Sequence, residues 1–199
     1  NEVSFAVAEH ISGTTWQDFA PIMNERAKEL GCVDSNFVNP NGLPNEDHYT
    51  SAYDLAMIGR AFFANEALCK MTHMLHILSS ERQPDDIMEV NKMELIPGGK
   101  YAYPYLVGCK TGYTDVARST LVSCAEKDGM KLICVVMKDE NPNYYEDTIT
   151  LFDYGFSNFQ RVNISQTETK YNIENAGSFY SGNDIFGNSK PILELNQTD

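Results

Sequence analysis

The run Gly108-Cys109-Lys110-Thr111-Gly112-Tyr113-Thr114 holds the residues of this chain best suited to chemistry. A lysine and a threonine at the end of an apolar strand place an ammonium and a hydroxyl beside one stretch of backbone. A glycine after them lets another molecule approach the backbone closely. Such a pair suits a carboxylate, because the charge attracts it and the hydroxyl orients it. The same letters also describe a strand that ends in a surface lysine and a turn, so the tripeptide by itself leaves both readings open.

Other groups carry weaker signals. Cys69, His73 and His76 fall at i, i+4 and i+7, which on a helix would put a thiolate and two imidazoles on one face, a partial zinc set. Leu68, Met71 and Leu75 interleave with them, and neither H-E-x-x-H nor paired-cysteine spacing accompanies them. A core-edge or solvated helix is therefore expected there, and no metal or cofactor is assigned. Ser181-Gly182-Asn183 lies in a polar tail where a turn explains it. His48 beside Asp47 and His10 beside Glu9 read as local hydrogen-bonding or surface pairs.

The elements that would position Lys110 follow from period and punctuation. Val3, Ala6, Val7, His10 and Ile11 repeat at helical spacing and stop at Gly13. Thr15 with Asp18 opens a second helix, with Trp16, Phe19, Met23, Ala27 and Leu30 on one face. The run Asn39-Pro40-Asn41-Gly42-Leu43-Pro44 is a loop. Ser51 with Asp54 opens a third helix carrying Leu55, Ile58, Gly59 and Phe62 on a stripe. Met88 to Ile96 is mixed in pattern and compatible with a strand that ends at the turn pair Gly98-Gly99. Leu106 to Gly112 reads as a strand. Ser119–Lys127 and Met130–Lys138, joined by Asp128-Gly129, form a β-hairpin with a type I′ turn. A closing helix follows Pro142, over Thr148 to Phe156. The class is α+β, an antiparallel sheet with packed helices. Residues 1–159 make the main unit, and 160–199, rich in Asn, Ser, Thr and Gly with short β-prone pieces, the start of a β-rich second one.

In 199 residues, 15 Lys plus Arg face 28 Asp plus Glu, a formal charge of -13 that excludes a basic nucleic-acid footprint. Hydrophobic residues at 42% and charged ones at 22% fit a packed globular core. No apolar run approaches the roughly 20 residues that span a bilayer. The five cysteines are widely spaced and read as small buried hydrophobes.

Taken in order, these pieces resemble the serine D-alanyl-D-alanine carboxypeptidases, the low-molecular-mass penicillin-binding proteins. The matching stretches are Asn1-Glu2-Val3 with Ala8 to Gly13, Phe37 to Pro44 with His48 to Ala56, Gly108 to Thr114, Asp128-Gly129-Met130, and Leu151 to Phe156. The family works with three motifs: S-x-x-K, S-x-N and K-T-G. The resemblance implies a penicillin-recognising α+β domain, here incomplete. It also implies removal of the terminal D-alanine from a peptidoglycan stem pentapeptide through an acyl-enzyme, inhibition by β-lactams, and export to the bacterial cell envelope. By it, Lys110 and Thr111 would bind the terminal carboxylate and Gly112 would let the strand approach the substrate. Tyr113 supplies a backbone oxyanion donor, and Asn1 stands as the last residue of S-x-N.

Departures from the pattern accompany the match. No serine in the 199 residues is followed three positions later by lysine, so the nucleophile is missing and the chain is expected to be inactive alone. The expectation is that the nucleophile lies upstream of Asn1 and that the exposed sheet edge favours self-association. A non-catalytic peptidoglycan-binding module, or a β-lactamase relative, is the alternative. Arg118-Ser119-Thr120 stands where relatives carry a small and aromatic sequence.

Overall fold

The computed structural model describes residues 2–72, 76–80, 83–89 and 93–161. Helix α1 spans Glu2–Ser12. A single 3-10 turn, Trp16–Asp18, leads into α2, Phe19–Glu29. The Asp18 carboxylate accepts from the hydroxyls of Thr14 at 2.6 Å and Thr15 at 3.0 Å, which fixes the entry to that turn. Helix α3, Ala52–Phe63, begins where the Ser51 hydroxyl accepts the Asp54 N–H at 3.1 Å. A short α4, Glu66–Met71, is capped by Asn65, and α5, Asn143–Asn158, is the last element among the described residues.

Among the described residues, five strands form two antiparallel sheets. Strands β1, His76–Ser80, and β2, Gln83–Glu89, make a separate hairpin. Strands β3, Leu106–Thr114, β4, Arg118–Lys127, and β5, Met130–Asp139, make a sheet in the order β3-β4-β5. The β4–β5 turn has φ 51° at Asp128 and 76° at Gly129, the left-handed pair that the type I′ turn requires.

The sheet has a helix layer on each face. On one, Cys109, Leu121, Ala125 and Cys134 pack with Tyr144, Tyr145 and Phe152 of α5 and with Leu95 and Tyr103 of the preceding segment. On the other, Cys124 packs with Phe63 of α3 and Cys69 of α4, and Phe62, Val107, Val122 and Ile133 surround them. Alternation along β3 follows from this. Cys109 faces α5, whereas Gly108 lies so close to Thr72 Oγ1 that an added Cβ would sit 2.2 Å from it.

Three expectations need correction. The apolar stripe of α1 faces outward: Val3 is 75% exposed, and Val7 and Ile11 are also exposed. The inward face is instead Phe5 and Ala8, with the Phe5 ring 5.0 Å from that of Trp16. The strand expected over Met88 to Ile96 is displaced: β2 ends at Glu89, and residues 93–105 run through turns that bury Leu95 and Tyr103. Cys69 and His76 share no helix, since α4 stops at Met71 and His76 opens β1. His73, Asn1, Ser181-Gly182-Asn183 and nearly all of the expected second unit lie outside the described residues.

Candidate functional site

Lys110, Thr111, Gly112 and Tyr113 occupy the C-terminal half of β3, an edge strand paired only with β4 among the described residues. The register opposes Lys110 to Val122, Thr111 to Leu121, Gly112 to Thr120 and Tyr113 to Ser119. The apolar first half of the strand, Leu106 to Cys109, is held by both core layers. The polar second half therefore projects from a rigid base.

Lys110 is exposed, and its Nζ donates to the Thr111 carbonyl. It makes no ion pair among the described residues, in a chain with 28 acidic side chains. An ammonium has three donor hydrogens, so this one bond leaves two for a ligand. The Thr111 hydroxyl makes no hydrogen bond among the described residues.

Gly112 has a packing reason besides ligand access. A Cβ there would meet Thr120 Oγ1 at 2.7 Å, and that same hydroxyl donates to the Gly112 carbonyl at 3.2 Å. Thr120 thus fixes the strand next to Thr111, a role that only the β3–β4 register reveals. Tyr113 has a 61% exposed side chain, and its hydroxyl donates to Asp115 Oδ1 at 3.2 Å.

Chemistry elsewhere is muted. All five cysteines are free and buried. Burial pushes the Cys109 thiol up to about 12 and those of Cys124 and Cys134 to about 11, so none of these three supplies a thiolate nucleophile near neutral pH. No group of three or more His, Cys, Asp or Glu among the described residues could hold a metal ion. His48 is committed: its Nδ1 accepts the Val38 N–H at 3.2 Å, and burial lowers its pKa. A shallow apolar groove of about 280 Å³ runs between β5 and α5, past Leu132, Val135, Leu151 and Phe159, at the opposite edge of the sheet from Lys110.

A D-alanyl-D-alanine carboxypeptidase family profile matches residues 1–141. The chain belongs to that family. D-alanyl-D-alanine carboxypeptidase DacF of Bacillus subtilis is 37% identical over 161 residues, which cover 80% of this chain and 40% of DacF. DacB2 of Mycobacterium tuberculosis is 33% identical over 141 residues, 68% of this chain and 47% of its own. Among solved structures, penicillin binding protein 6B of Escherichia coli superposes with a TM-score of 0.71 at 27% identity, covering 85% of this chain and 51% of that one. The Mycobacterium tuberculosis carboxypeptidase gives 0.69 at 29% identity, over 80% and 60%. This carboxypeptidase-family chain therefore spans 40% to 60% of the length of these relatives, and its α+β layering is part of their fold. No helix among its described residues is long and apolar enough to cross a membrane.

Proposed function

We propose that this chain supplies the carboxylate-binding edge of a serine D-alanyl-D-alanine carboxypeptidase of the bacterial cell envelope. The observation that carries the reading is Lys110: among the described residues of an acidic chain its ammonium has no acidic partner, and the hydroxyl of the next residue, Thr111, is uncommitted, both on an exposed edge strand of a chain that a D-alanyl-D-alanine carboxypeptidase profile matches. Lys110 and Thr111 bind the terminal carboxylate of a peptidoglycan stem peptide. The Tyr113 N–H donates to the oxygen on which charge develops when a serine attacks the preceding carbonyl. β-Lactams carry a carboxylate at the same distance from a reactive amide. They enter as inhibitors, in keeping with the name of the Escherichia coli relative. The 199 residues hold no S-x-x-K, so they bind but do not acylate by themselves. That absence also favours a second reading, a binding module without catalysis.

The test is a titration followed by amide NMR, with an N-acyl-D-Ala-D-Ala peptide and its C-terminal amide in parallel. The free acid is expected to shift Lys110, Thr111 and Tyr113 where the amide does not, and Lys110→Ala to weaken binding about 10-fold or more. Equal responses to acid and amide, or responses confined to other residues, would overturn the reading. A fluorescent penicillin is expected to leave no covalent band on the chain alone. Joined behind the S-x-x-K segment of DacF, the chain is expected to become labelled if catalytic and to stay dark if it is a binding module.

A further inference from the structure

Arg118 holds a conformation that disfavours any residue with a side chain. Its φ of 56° is left-handed, and it stands at the first position of β4. In the β3–β4 register it lies opposite Thr114. An extended residue there would project on the same face as Lys110, Gly112 and Thr114. The left-handed turn carries its guanidinium elsewhere. It lies 6.0 Å from the centroid of the Tyr113 ring, and its Nη2 donates to both carboxylate oxygens of Glu140, at 3.1 and 3.0 Å. The Glu140 N–H in turn donates to Asp139 Oδ1 at 2.7 Å, at the end of β5. The Tyr113 ring is thus held at its tip by Asp115 and on its face by a cation anchored two strands away.

We propose that Arg118 is a positioning residue for Tyr113: anchored on Glu140, its guanidinium holds the exposed ring in one rotamer. The peptide unit that closes the carboxylate-binding edge then presents its N–H in a fixed direction. The inference rests on the reading of β3 given above and adds a residue to it. An exposed ion pair and an exposed cation–π contact contribute little to global stability, but a rotamer of one surface side chain is set by energies of just that size. The strained backbone is then explained by where it sends the side chain.

Arg118→Gly separates the clamp from stability, because glycine takes a φ of 56° without strain. In the 199-residue chain the melting temperature is expected to stay level or rise. The Tyr113 Cβ-proton couplings are expected to change from single-rotamer to averaged values. The shift of the Tyr113 amide on adding N-acyl-D-Ala-D-Ala is expected to fall at least about threefold, while that of Lys110 persists. Glu140→Gln is expected to reproduce the averaging, and Arg118→Lys to restore it in part, since lysine keeps the charge but not the planar face. An unaveraged Tyr113 ring in Arg118→Gly would overturn the proposal. So would a lowered melting temperature with the Lys110 response lost as well, which would make Arg118 structural. If Lys110 fails to respond in the unmodified chain, the carboxylate reading falls, while the coupling data still decide whether the clamp exists.

Discussion

Asp54 is fully buried, and its carboxylate survives there because three donors converge on it. Val33 N–H reaches Oδ1 at 3.2 Å, and Asp34 N–H and the Ser35 hydroxyl reach Oδ2 at 2.8 and 2.6 Å. The Ser35 hydroxyl leads in holding its pKa below the ordinary 3.8, and the Asp34 and Val33 N–H groups add to it against the cost of desolvation. The depressed folded value means that the group stabilises the fold above the unfolded carboxylate pKa, and that this contribution is lost as pH falls through the folded one. Asp54→Asn turns an acceptor pair into one acceptor and one donor facing donors. It is expected to lower the melting temperature at pH 7 by roughly 5–10 °C, with a gap that closes below about pH 3.8. A constant gap down to pH 2 in calorimetric scans would rule this account out. Sequence spacing marked Asp54 as a first-turn helix residue, and nothing local pointed to partners some 20 positions upstream. Lys110 differs because its meaning lies in adjacent letters, whereas Glu140, the anchor of Arg118, is 22 residues away and emerges only from the register.

Elements were legible where a short signal dictated the backbone. Asp128-Gly129 required a tight turn, and the hairpin around it is present in full from Arg118 to Asp139. The β1–β2 hairpin had no such signal, since Pro84, Asp85 and Asp86 give β2 the letters of a loop. Period alone located α1 but not its buried side. A stripe of Val and Ile and a face of Phe5 and Ala8 both repeat at helical spacing, and only the neighbouring Trp16 decides between them. Close packing of elements also separates two glycines that look alike in sequence. At Gly108 a Cβ would fall 2.2 Å from Thr72 Oγ1, which is itself tied to the Cys69 carbonyl at 2.7 Å, and 3.1 Å from Phe63. Gly108→Ala is therefore expected to destabilise by about 1–3 kcal/mol. At Gly155 the obstacle is the Leu132 Cδ1 methyl at 2.5 Å, the end of a side chain that can turn. Turning it costs roughly 0.5–1.5 kcal/mol, against about 1 kcal/mol gained in helix propensity. Gly155→Ala is expected to lie within about 1 kcal/mol of zero in urea denaturation. A larger loss at Gly155 than at Gly108 would show that β5–α5, not α4–β3, is the tighter contact.

At the scale of the described fold, the β3 edge that carries Lys110 and the apolar groove beside β5 sit at opposite sides of one sheet. Beyond β5, among the described residues, no strand pairs with the run Leu132 to Met137, six apolar residues in a row. Four of them, Leu132 to Val135, line the groove whose far wall is Leu151, Phe152, Gly155 and Phe159. An open backbone edge beside an apolar helix face is a template for strand addition. At -13 the chain also repels its own copies, and that repulsion is screened within about 10 Å at 0.1 M salt. Hydrophobic edge pairing and charge repulsion then respond oppositely to salt: association is expected to strengthen from 20 to 500 mM NaCl, the reverse of an ion-paired interface. In sedimentation equilibrium the 199-residue chain is expected to associate with rising concentration. Val135→Lys and Leu151→Lys, which put charge into the groove, are expected to restore a monomer without altering the response of Lys110 to a D-Ala-D-Ala peptide. A monomer at every concentration and salt would mean that the β5 edge is protected by something other than a second copy. Lys variants that associate as well as the unmodified chain would shift the contact to the exposed Val3, Val7 and Ile11 stripe of α1.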